Sequence, residues 1–191
     1  MNRRKAIVGM LGACVVGTGI FSGYKWYDWH KTPDIPYMEK HFNMISALAE
    51  TILPSGDSPG AREAGVPNFI IRYVRECQDA LTSNKFIDGL KELDSHCRTK
   101  YGRAYEDCSD MEQVSVLRHI EQKEKPLGGV LGKVQNRLVG KPFFLLLKEY
   151  TVKGYCTSEA GMTRGLSYLP VPGSFHGCLP FLPGQKAWAT R

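Results

Sequence analysis

The chain has 191 residues, 42% of them hydrophobic and 23% charged, with a formal net charge of +6. That length can bury a sizeable core, and the composition is ordinary for a globular protein. The positive excess is scattered, without the basic run that tracks a phosphate backbone, which argues against a nucleic-acid partner.

Residues 1–31 read as a separate unit, an export signal or membrane anchor, ahead of a single helical domain over 32–191. "MNRRK" is basic, and Ala6 to Phe21 is an apolar, glycine-rich run without a charge. The run is short of the roughly 20 residues that cross a bilayer comfortably. Arg3 and Arg4 resemble a twin-arginine signal, the address of proteins exported already folded. Ala6 departs from the bulky apolar residue usual in that pattern. "LGAC" resembles a lipidation box at Cys14, and Trp26, Tyr27 and Trp29 could form an interfacial belt if the segment is retained. The expected location is the periplasm, with attachment to the inner membrane if the segment stays.

Tyr37 to Leu53 predicts a helix, with Met38, Phe42, Ile45, Leu48 and Ile52 recurring at the helical period. "LPSGDSPGAREAGVP" then places three prolines and three glycines between two helices. It is either a stiff internal connector or a surface shaped for a partner. Pro67 opens a second helix, with Phe69, Ile70, Tyr73, Val74 and Cys77 on its apolar face. Ser83 is the expected cap of a third, carrying Phe86, Ile87, Leu90, Leu93 and Cys97. "SDME" predicts a capping box at Ser109 and Glu112, followed by a stripe of Met111, Val114, Leu117 and Ile120. Gln113, Arg118, His119 and Glu121 read as the solvated side of that helix. Residues 125–142 are glycine-rich and read as irregular or partly helical. Pro142 starts the last helix, "FFLLLKEYTVK", which Gly154 is expected to end.

No segment alternates as a strand does, so the fold class is mainly α: a compact bundle of about five helices. The tail from Leu169 has four prolines and three glycines among apolar side chains. It cannot be a helix and is too apolar for a disordered tail. It lies either on its own helices or on another protein.

Beyond the export segment stand Cys77, Cys97, Cys108, Cys156 and Cys178. Outside the cytosol thiols tend to pair, and Cys97 with Cys108, near in sequence, is the candidate disulfide. Cys77 reads as a buried thiol. No C-x-x-C, C-x-x-C-H, P-loop, G-x-S-x-G or H-E-x-x-H is present, and His96 has no second histidine at ligand spacing. Ser158, Glu159 and His176 are polar groups without an orienting arrangement. No catalytic, cofactor or metal residue is assigned, and the residues read as a helical module without its own active site.

Three ordered blocks carry a resemblance: "AETILP" with "DSPGAREAGVPNFI", then "FFLLLKEYTVKGYCTSEAG", then "PVPGSFHGC". Together they resemble the gluconate 2-dehydrogenase subunit 3 family, with Cys156 standing where an aromatic residue is usual. The resemblance implies a non-catalytic small subunit of an exported sugar or sugar-acid dehydrogenase. Its partner would be a large flavoprotein of the glucose–methanol–choline class, holding FAD and passing electrons to a cytochrome or quinone. The small subunit would assist folding, export and stability of that partner. Tyr155, Cys156, Ser158, Glu159, Gly161, Pro172, Gly173, Phe175 and Cys178 are the expected docking residues. Cys178, where the family often has a cysteine, is the candidate for a disulfide to the large subunit; a Cys156–Cys178 bridge competes with it. Two other readings stay open: a membrane-anchored scaffold for a partner that is not an oxidoreductase, and an independent small enzyme.

Overall fold

The computed structural model describes residues 31–125, 140–171, 173–174, 177–178, 180 and 183–189. The N-terminal segment and the glycine-rich stretch 126–139 lie outside the described residues, as do Pro172, Phe175 and His176. The order is α1 (Ile35–Lys40), α2 (Phe42–Ile52), α3 (Val66–Cys77), α4 (Ala80–Tyr101), a 3₁₀ turn (Tyr105–Asp107), α5 (Asp110–Lys123), α6 (Phe143–Thr157) and a π-turn (Gly161–Gly165). Five of these helices are long, and the fold is mainly α, as the periodicity predicts. Among the described residues there is no strand, only an isolated parallel bridge between Ser167 and Trp188. No described helix is long and apolar enough to cross a membrane.

The expected first helix is two. The chain breaks at His41, whose Nδ1 lies 2.8 Å from the Tyr37 carbonyl and whose ring stacks on Tyr37 at 4.1 Å. His41 leaves helical geometry, at φ −101° and ψ 33°, while its amide still donates to the Tyr37 carbonyl at 3.1 Å. The cap of α4 is Asp79, whose Oδ1 accepts from Thr82 N at 3.2 Å. Ser83, the expected cap, is buried inside the helix and donates to Val74 O at 3.2 Å. The capping box of α5 forms as expected, with Glu112 accepting from Ser109 N at 2.9 Å. Its buried stripe is shifted: Val116, Leu117 and Ile120 face inward, while Met111 is 85% exposed.

Helix α6 lies against α2, α3, α4, α5 and the π-turn. Its buried side is Phe143, Leu146, Leu147, Tyr150, Thr151, Gly154 and Tyr155. Phe86 packs on Phe143 and Tyr150 with ring centroids 5.3 and 5.4 Å apart, and Tyr73 meets Tyr150 edge-on at 5.1 Å. Each fully buried side chain of this kind contributes about 1.5–3 kcal/mol. Gly154 does not end the helix, which runs on to Thr157. A Cβ there would stand 2.7 Å from Phe69 Cδ1, so the residue is a close-contact point between α3 and α6. Cys77 is exposed at the end of α3, contrary to its expected burial.

Candidate docking face

The proline- and glycine-rich connector is organised by one carboxylate. Glu50, in the last turn of α2, accepts from Ser55 N at 2.9 Å through Oε1 and from Arg62 N at 2.8 Å through Oε2. Ala61 N donates to Leu53 O at 2.9 Å and Val66 N to Ala61 O at 3.0 Å, which folds the loop back onto the helix end. Ala61 is fully buried, and Arg62 Nε donates to Ser46 Oγ at 2.9 Å. Gly65 enters α3 with φ of 71°, a left-handed conformation that favours glycine. The shape of the connector is thus accounted for from within the chain.

The connector also holds the C-terminal region. Arg164, in the π-turn, forms an ion pair with Glu63 at 2.6 Å. Lys186 Nζ donates to Arg164 O at 2.6 Å. Ser167 N donates to Ala187 O at 2.8 Å, and Ala189 N donates to Ser167 O at 2.9 Å, so residues near 167 and 188 are clamped side by side. Three sequence-distant pieces therefore form one surface: the connector, the end of α6 with its π-turn, and the tail.

The expected docking residues divide into two groups. Tyr155 is buried, and a Cβ at Gly165 or Gly161 would run into its side chain or its carbonyl. Ser158 Oγ donates to Tyr155 O at 2.8 Å and accepts from Gly161 N at 3.0 Å. Tyr155, Ser158 and Gly161 thus build the turn rather than line a surface, and the Ser158 hydroxyl is engaged as a structural group. Cys156, Glu159, Gly173 and Cys178 face solvent. Four large apolar side chains outside the expected set are also exposed: Tyr168 at 43%, Leu169 at 44%, Val171 at 80% and Trp188 at 50%. The run "SYLPVPG" carried a signal for Tyr168, Leu169 and Val171, since it is apolar and cannot be helical. Glu63 with Arg164 carried none, because the pair is 101 residues apart in sequence (164 minus 63).

Away from this face, the titratable groups read as structural. Tyr105 is buried and donates to Thr51 Oγ1 at 3.0 Å. Gln113 is not part of a solvated face: its Nε2 donates to Tyr105 O at 3.2 Å and Cys108 O at 3.0 Å. Cys97 and Cys108 are free thiols in contact; burial, with Cys108 beside it, pushes the Cys97 thiol up to about 12. Among the described residues no three His, Cys, Asp or Glu side chains are grouped to hold a metal ion.

Comparison with curated proteins and with solved structures found no match. A family model described as gluconate 2-dehydrogenase subunit 3 matches residues 39–173, a span that includes α2 to α6, the connector, the π-turn and the first part of the exposed tail. The chain belongs to the gluconate 2-dehydrogenase subunit 3 family.

Proposed function

We propose that this chain is the non-catalytic small subunit of a periplasmic, FAD-dependent sugar or sugar-acid dehydrogenase, and that it supports folding, export and stability of the large flavoprotein subunit. The family match supports a dehydrogenase subunit. The observation that carries the docking role is the exposed apolar set Tyr168, Leu169, Val171 and Trp188, fixed on the bundle by backbone and ion-pair clamps. Apolar side chains grouped in this way mark interaction surfaces. FAD is assigned to the partner, the large flavoprotein subunit. Electron transfer to a cytochrome likewise belongs to the partner side.

The test is co-expression with the large flavoprotein subunit, with the complex followed by size exclusion and flavin absorbance. Ending the chain at Leu166 keeps α6, Tyr155 and the π-turn, and removes the exposed set. The truncated chain should keep its helical signal and lose the yellow complex, because a standard interface buries about 1,600 Å² and this one would lose its apolar part. A full-length chain that never binds the flavoprotein overturns the subunit reading, and an intact complex with the truncated chain overturns the docking role of the tail.

A further inference from the structure

His96 on α4 and His119 on α5 stack across the seam between the two helices, with ring centroids 4.6 Å apart and planes within 10°. The Nε2 of His96 is buried and, among the described residues, has no hydrogen-bond partner. Glu92 and Lys100 lie one turn either side of His96 on α4, and Lys123 lies one turn beyond His119 on α5. Lys123 pairs with Glu92 across the seam. Asp110 and Arg118 share the surface groove that His119 lines. At the far end of α5, Glu124 accepts from Phe144 N at 2.8 Å.

We propose that the stacked pair His96 and His119 forms a pH-responsive latch, closing α5 onto α4 while His96 is neutral and releasing it when His96 is protonated. A neutral imidazole can leave one nitrogen as a bare lone pair, and the sheltered Nε2 of His96 tolerates that state. Protonation turns that nitrogen into a charged donor with no acceptor, which is the costly case for a buried group. Lys100 and Lys123, with His119 beside the ring, disfavour the new charge, and Glu92, already engaged by Lys123, opposes them. Burial first and these charges second hold the His96 pKa below the ordinary histidine value. The sign follows: the unfolded or opened ring binds a proton more readily than the closed one, so closure is fully favoured above the ordinary histidine range and is weakened as pH falls through it. Opening would uncover Val116, Leu117 and Ile120, and the Glu124 contact would carry the change to the start of α6. The inference rests on the α4–α5 seam alone, not on the dehydrogenase reading.

The experiment is hydrogen exchange on the full-length chain at about pH 7.5 and about pH 5, corrected for intrinsic exchange, on either side of the ordinary histidine range. Protection of α5 amides should fall roughly tenfold at the lower pH relative to α3. His96→Phe keeps an aromatic ring in the stack and cannot take a proton, so its α5 protection should differ little between the two conditions. His119→Asn, a change at an exposed position, should shrink the response and covers the case in which His96→Phe does not fold. Equal α5 protection at both pH values in the natural chain overturns the latch, as does an undiminished loss in both variants, which would place the sensor at Glu124 or elsewhere.

Discussion

Glu50 occupies the space that a side chain at position 60 would need. A Cβ on Gly60 would lie 2.8 Å from Glu50 Oε2 and from Ser55 N, and closer still to Oε1. Glycine is required there by contact, not by backbone angle. Glu50→Ala should lower stability by about 1–2 kcal/mol, since two amides lose a charged acceptor but can turn to water. Gly60→Ala should cost at least as much, because the carboxylate would have to leave. Urea midpoints check both, with helical circular dichroism in the absence of urea expected to be unchanged.

Gly154 and Phe69 make the corresponding contact between α6 and α3. Alanine at 154 gains about 1 kcal/mol of helix propensity. It also meets Phe69 at Cδ1, Cγ and Cβ, from 2.7 to 3.4 Å, and those atoms are not the free end of a flexible chain. Overpacking of this kind costs about 1–3 kcal/mol, so the net change should be destabilising. Phe69→Leu in the same chain should restore part of the loss. A Gly154→Ala variant with a raised unfolding midpoint would show that the two helices separate easily.

The cysteines should divide by exposure. Cys77, Cys156 and Cys178 are open to reagent, whereas Cys97 and Cys108 are buried with their pKa values raised by that burial. A thiol-reactive dye should label the first three in the native chain. The structure holds Cys97 and Cys108 as touching free thiols; in protein recovered from an oxidising periplasm they should have paired and stay unlabelled on unfolding until reductant is added, the bridge closing a short loop worth about 3 kcal/mol. Labelling on unfolding alone would leave them as a thiol pair. In the complex, Cys178→Ser should abolish a band of combined mass on non-reducing electrophoresis; two separate bands from the alkylated natural complex would dismiss the intersubunit bond.

Export should depend on Arg3 and Arg4. Changing both to lysine keeps the charge and removes the guanidinium pair that a twin-arginine receptor reads. Periplasmic yield of the complex should fall to a small fraction. Full yield would assign the segment to the general secretory route.

The sequence was most legible where a pattern closes within a few residues. Phe86, Ile87, Leu90, Leu93 and Cys97 are read as one face of α4 and are buried together. Ser109 and Glu112 form their capping box, three residues apart. The docking segment was legible only as a region. Within it Tyr155, Ser158 and Gly161 turned inward to build the turn, and the exposed apolar side chains stood further along, at Tyr168, Leu169, Val171 and Trp188.

By itself, then, the sequence determined the helical class, the apolar face of the longest helix, α4, the α5 cap and the family, because each depends on residue types at short, regular spacing. Tertiary structure decided which glycine ends a helix and which lets two helices touch, as Gly154 touches Phe69. It decided that Gln113, apparently on a solvated face, would serve the carbonyls of Tyr105 and Cys108. It also brought Glu63 to Arg164 and His96 to His119. Those pairings have no local pattern, because their energy comes from groups far apart in the chain that meet only after the bundle has packed.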